Sequence, residues 1–169
     1  FGDGAAALGF MEEIRQGTVL GRVLGNGSVM TGKVFGIRNV PAVNGQAMPA
    51  YDPRAVKGMG VTYATSPMGA DHTYGATARA QIEQASRVGQ AELSFSTQKN
   101  MAIYDTMGFC IFCSGAVGNQ QQLIADLINA RYGWSVDVEW LKLVGEETLK
   151  DEHTFNQRAG FTKAHYKMP

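Results

Sequence analysis

Apolar positions recur at helical spacing along most of the chain. The clearest stretch is residues 120–132, where Leu123, Ile124, Leu127 and Ile128 form a stripe and Gly133 supplies a stop. Residues 5–15 place Ala7, Leu8, Met11 and Ile14 on one face and Glu12 and Glu13 on the other, with Asp3 as a candidate cap and Gly17 as the end. Residues 18–34 read as helix through Val19, Leu20, Val23 and Leu24, weakened by Gly21, Gly25, Gly27 and Gly32. Residues 58–67 carry small side chains that let a helix pack closely before Pro67 interrupts it, and residues 70–74 bring Asp71 and His72 into that break. Residues 77–92 and 94–107 predict two more helices, the second with Met101, Ala102 and Tyr104 on or near its inner face. Ser135 is the expected N-cap of a last helix through Val138, Leu141 and Val144, with Glu146 and Glu147 facing water. Between these patterns, residues 40–57 hold three prolines and an Asn44-Gly45 turn signal, which predicts an ordered connection or a short hairpin.

The architecture expected from this pattern is mostly α. Strand-like alternation never persists, no repeat is visible, and Gly25-Asn26-Gly27 lacks the third glycine and the βαβ setting of a dinucleotide site. Residues 1–169 read as one partial helical region, with the ordered linker at 40–57 as the candidate division. Its length suffices for a real core. Fifteen basic and fifteen acidic residues cancel, and no basic run resembles a nucleic-acid footprint. No stretch approaches the roughly 20 apolar residues of a membrane span, and the first residues lack the pattern of a secretory leader, so a soluble cytoplasmic setting is expected. The chain opens without an initiator methionine and stops just after an amphipathic segment, which suggests a piece of something longer.

Chemistry concentrates in Asp105-Thr106-Met107-Gly108-Phe109-Cys110. A carboxylate can accept from the ring nitrogens of a flat heterocycle, glycine admits that ring to the backbone, and a thiolate binds a soft metal such as iron. The plainer reading makes Asp105 the cap of a helix starting near Thr106, Gly108 incidental and Cys110 a small buried hydrophobe. Cys110 and Cys113 also form a CxxC, which alone admits thiol exchange, half a zinc site or part of an iron–sulfur site. His72, in a polar turn between Asp71 and Thr73, is the best acid–base candidate, against the alternative that it only braces the turn. His153 and His165 look structural or exposed. Tyr51-Asp52-Pro53-Arg54 could shape a pocket entrance or clamp a loop through an Asp52–Arg54 contact.

Four stretches in order, PAYDPRAVKGMGVTYATS (49–66), GADH (69–72), YDTMGFC (104–110) and GEETLKDEHTFNQRAGF (145–161), resemble the tungsten- or molybdenum-dependent aldehyde ferredoxin oxidoreductases. In that family an N-terminal β-rich domain and two largely helical domains clasp a metal held by two pterin dithiolenes. The chain resembles helical domains 2 and 3, truncated at both ends. The family's Asp-x-x-Gly-x-Cys motif falls on Asp105, Gly108 and Cys110. The resemblance implies that Asp105 binds a pterin ring, that the backbone at Gly108 and Phe109 approaches the same ring, and that Cys110 is the last ligand of a [4Fe-4S] cluster.

The resemblance further implies three cluster cysteines, a first pterin motif and phosphate-binding residues in an N-terminal portion of the same subunit, so this chain alone should not assemble the site. His72 corresponds to a histidine near the metal, where it would position or deprotonate the oxygen nucleophile or the substrate. Met68 lies in a stretch where relatives often carry arginine, which would alter pocket polarity. Cys113 is outside the motif and reads as a buried bystander. The implied activity is oxidation of an aldehyde to a carboxylate at a tungsten- or molybdenum-bis-pterin centre, with electrons leaving through the cluster to ferredoxin. Such a centre is oxygen-sensitive, hence an anaerobic cytoplasm, and a homo-oligomer is compatible. Three other readings stay open: an aromatic-ring thioester reductase with the same cofactor type, a small CxxC thiol redox protein, and a helical interaction module.

Overall fold

The computed structural model describes residues 2–113 and 120–169. Helix α1 (Gly4–Gln16) begins where the Asp3 carboxylate accepts from the Ala6 N–H at 3.0 Å and ends at Gly17, left-handed at φ 64°. The helix expected over 18–34 divides into α2 (Val19–Gly25) and α3 (Gly27–Val34), because Gly27 at φ 84° turns the chain. No residue of α1 is buried, and Leu8 and Met11 of its expected apolar face are exposed.

The linker is a short hairpin. Strands β1 (Ala42–Val43) and β2 (Gln46–Ala47) pair antiparallel, Ala42 opposite Ala47 and Val43 opposite Gln46. Asn44 and Gly45, both at positive φ (54° and 79°), make the turn as the Asn-Gly signal predicts. Buried Val43 packs with Met59, Tyr63 and Ala70, which seats the hairpin on α4 (Lys57–Thr65) and the turn after it.

Residues 77–89 form turns instead of the expected helix, and α5 (Gln90–Thr106) starts only after Gly89 at φ 73°. Side chains take over the carbonyls that a helix would use for itself. The Gln84 amide donates to the Thr77 and Ala80 carbonyls, and the Gln90 amide donates to the Glu83 carbonyl. The Lys57 N–H, at the start of α4, donates to the Gln84 carbonyl at 3.0 Å and holds the turns against that helix.

The contact between α4 and α5 is polar and buried. The Thr62 and Ser94 hydroxyls lie 2.8 Å apart, the Gln98 amide donates to Ser94 Oγ and Thr65 Oγ1, and Thr62 donates to the Gly75 carbonyl at 3.0 Å.

Helix α6 (Gln121–Tyr132) ends at Gly133 as expected, but its inner face is Ile124, Ala125 and Ile128, with Leu123 and Leu127 exposed. Helix α7 (Val138–Arg158) is capped by Asp137, not by Ser135: the Asp137 carboxylate accepts from the Trp140 N–H at 2.9 Å. Ile103 and Tyr104 of α5, Ile124, Ala125 and Ile128 of α6, and Leu141 of α7 form one core cluster, with Phe109 packed at its margin.

Where α5 and α7 cross, a Cβ on Gly145 would stand 2.6 Å from the Lys99 carbonyl oxygen and 2.8 Å from Ile103 Cγ1. Only a residue without a side chain permits that approach. Among the described residues no helix is long and apolar enough to cross a membrane. Gly145→Ala should lower unfolding free energy by about 1–3 kcal/mol through overpacking. Gly9→Ala, whose Cβ meets nothing within 4 Å in mid-α1, should raise it by about 0.5–1 kcal/mol. Urea melts of the two variants check the pair.

Candidate functional site

The Asp105–Cys110 segment is a helix end. Met107 is the C-cap of α5, Gly108 follows in the left-handed region at φ 73°, the Gly108 N–H donates to the Asp105 carbonyl at 3.1 Å, and the Phe109 N–H donates to the Tyr104 carbonyl at 2.8 Å. These two bonds make a Schellman motif, and the apolar contact that accompanies such a cap is the Phe109 ring set edge-on to Tyr104, centroids 6.4 Å apart. The plainer reading therefore fails on all three of its points. No helix starts at Thr106, since α5 ends there, and Cys110 is exposed. Gly108 is not incidental either, because the cap needs its positive φ. The space where its side chain would be is open, with nothing within 4 Å.

Asp105 sits in the last turn of α5, where the carbonyl end of the helix disfavours a negative charge by roughly 0.3–1 kcal/mol. Desolvation, and then the charge of Asp71, push its carboxyl above the ordinary aspartate range. The carboxylate thus costs the fold something and caps nothing. Asp71 belongs to the turn that carries His72, so that turn lies within electrostatic reach of the Asp105 end of α5.

The His72 turn is built from short-range bonds. Ser66 and Gly69 exchange hydrogen bonds through the Ser66 hydroxyl, and the Asp71 carboxylate accepts from both the N–H and the hydroxyl of Thr73. The Ala70 N–H donates to the Val43 carbonyl at 3.3 Å, which fastens the turn to the hairpin. The His72 imidazole is half-buried and lies against the Tyr51 ring, centroids 5.3 Å apart at 34°.

Two phenols flank this turn. Tyr63 donates to the Tyr51 carbonyl, and burial, Asp71 and Tyr51 push its hydroxyl up to about 12. Tyr74, 3% exposed, donates to the Glu152 carboxylate of α7; burial, then Glu152 and Asp105, raise it and keep it protonated. Sequence reasoning missed Tyr63, Tyr74 and Glu152. Tyr74 and Glu152 are 78 positions apart, and no periodicity links them.

Asp52 and Arg54 form the clamp foreseen for that loop, a 2.5 Å ion pair that lowers Asp52 to about 2. They also line a cavity of about 660 Å³ with Pro41, Met48 and Lys57, to which His72, Asp105 and Cys110 do not contribute. His165 is exposed and bound to Thr162, and His153 is half-buried facing Tyr166.

Cys110 and Cys113 are free and exposed, so Cys113 is not the buried bystander expected; the Cys113 N–H donates to the Cys110 carbonyl in a 3-10 turn, Ile111–Cys113. The turn follows a helix, not the strand a thioredoxin-like dithiol requires. Among the described residues no three His, Cys, Asp or Glu converge as a metal site. The exposed Cys110 thiol, the open Gly108 and the exposed Asp105 carboxylate share one helix end, a donor set whose chemistry suits a soft metal and a flat heterocycle.

Because its folded-state value is raised, the Asp105 carboxyl binds its proton more tightly in the folded chain than in the unfolded one. Its contribution to stability is present below about pH 4 and is lost as pH rises through the raised folded value. Asp105→Asn should remove that loss, leaving the variant more stable than the parent at neutral pH. Urea midpoints measured across the acid range check this, and parallel profiles would contradict it.

Comparison with known proteins gives a consistent answer. The chain is 27% identical over 164 residues to the tungsten-containing aldehyde ferredoxin oxidoreductases of Thermococcus kodakarensis and Pyrococcus furiosus, covering 92% of this chain and 27% of each relative. It is 28% identical over 149 residues to the Pyrococcus horikoshii enzyme of the same name, covering 83% of this chain and 24% of the relative. The chain thus spans about a quarter of the length of the curated relatives it matches. With residues 1–169 matching the family model described as aldehyde ferredoxin oxidoreductase, domains 2 & 3, the chain belongs to the aldehyde ferredoxin oxidoreductase family.

Proposed function

We propose that this chain is the helical part of an oxidoreductase that converts aldehydes to carboxylates, working in an anaerobic cytoplasm with the N-terminal portion of the same subunit. The observation that carries the reading is the capped end of α5, where one rigid turn presents the Asp105 carboxylate and the Cys110 thiol to the outside with Gly108 open between them. A tungsten- or molybdenum-bis-pterin centre, when bound, would supply the two-electron oxidation, and a [4Fe-4S] cluster would supply one-electron transfer toward ferredoxin.

The residues of this chain hold and orient. The Asp105 carboxylate accepts hydrogen bonds from ring N–H groups of the pterin, the Gly108 and Phe109 backbone borders that ring, and the Cys110 thiolate ligates iron. The Schellman hydrogen bonds and the Phe109–Tyr104 contact fix these groups without using their side-chain functional atoms. A ring held at Asp105 and a cluster held at Cys110 would be anchored five positions apart on one peptide. His72, held against Tyr51, offers a ring nitrogen to take a proton from the incoming oxygen nucleophile or to orient the aldehyde.

In the complete subunit, Cys110→Ala should remove or severely disturb the cluster while sparing the helical fold. Iron and labile sulfide analysis with EPR reads the loss, and an unchanged reduced-cluster signal would reject the ligand role. His72→Asn should retain both centres yet lower kcat by about 100-fold, within the usual range for a lost general base. Full turnover across the pH range would remove that role.

A further inference from the structure

We infer that the hydrogen bond from Tyr74 to Glu152 is a latch that fixes the His72 turn on α7, making Tyr74 the positioning residue for the imidazole. The inference rests on His72 acting at the site as proposed above. Among the described residues, no hydrogen bond holds the His72 ring nitrogens; the ring has the Tyr51 face on one side and otherwise goes where its backbone puts it.

That backbone is restrained on both flanks. Upstream, Ala70 is tied to Val43 and Asp71 closes a local turn with Thr73. Downstream, the Gly75 carbonyl accepts from Thr62, and a Cβ on Gly75 would stand 2.9 Å from Gln98 Cγ, so the chain lies flat on α5. These restraints fasten the turn to the hairpin, α4 and α5. Tyr74 adds α7: its ring is buried with Ala102 and Leu149, and its hydroxyl crosses to the Glu152 carboxylate. The ring alone could slide or rotate over Ala102 and Leu149, since apolar contact is not directional. A hydroxyl donating to a carboxylate is directional and strong. With its proton retained, the phenol stays a donor.

A merely structural phenol would stabilise the fold without governing His72, and the two cases separate experimentally. In the complete subunit, Tyr74→Phe keeps the ring packing and removes the bond. Carbethoxylation of His72 by diethyl pyrocarbonate, followed by peptide mass spectrometry, should become about tenfold faster, the factor by which losing such a bond favours local opening. Turnover should fall roughly tenfold or more, with KM changed less than about twofold, as expected for a displaced catalytic group. Glu152→Ala should reproduce both changes, and the double variant should be no worse than either single one. Unchanged His72 labelling in a variant that only melts earlier would overturn the latch, as would additive effects of the two substitutions. Labelling tests the latch, whereas the turnover of His72→Asn tests the role of the imidazole, so either can fail without the other.

Discussion

Backbone meets side chain without clearance where Gly145 of α7 crosses α5 at Lys99 and Ile103, and the remainder of the arrangement depends on that approach. It brings Leu141 into the cluster formed by Ile103, Tyr104, Ile124 and Ile128, and Leu149 against Ala102 and Tyr74. It also sets the height at which Glu152 meets Tyr74. A side chain at the crossing would push the helices apart and move every group hung between them. The candidate site groups at the end of α5 are therefore set relative to the His72 turn by a helix that carries none of them.

The end of α5 separates two duties within one hexapeptide. Backbone groups of Tyr104, Asp105, Gly108 and Phe109 close the cap, and the aromatic rings of Tyr104 and Phe109 bury its apolar contact. The Asp105 carboxylate and the Cys110 thiol take no part in closing it. Asp105 even lies at the helix end least suited to a negative charge, and desolvation, then the charge of Asp71, raises its carboxyl above the ordinary aspartate range. Nothing in the local structure calls for an aspartate there, which is what the proposed ring contact would account for.

Much of the helical content was legible because it rests on local signals. Asp3, Gly17 and Gly133 mark helix ends, and Asn44-Gly45 marks the hairpin, through preferences that need no tertiary context. Reading failed where distant partners decide. Residues 77–89 have helix-compatible spacing, yet Gln84 and Gln90 spend their amides on backbone carbonyls because the segment is pressed against the start of α4. Ser135 and Asp137 are both plausible caps, and only the actual turn selects the aspartate. At the site, Asp105, Gly108, Cys110 and His72 stood out by residue type and by motif, whereas Tyr74 and Glu152 become partners only once α7 folds back over the turn.

The seam between α4 and α5 has a further consequence. Greasy surfaces tolerate slippage, since a methyl group is content beside any other methyl group. Thr62, Ser94, Gln98 and Thr65 accept one another at a single offset only, and a shift by one helical residue would strand several of them without partners. The two rods are consequently indexed, like a key cut for one depth, and the chain trades cohesive oiliness for an unambiguous setting of the loop that leaves α4.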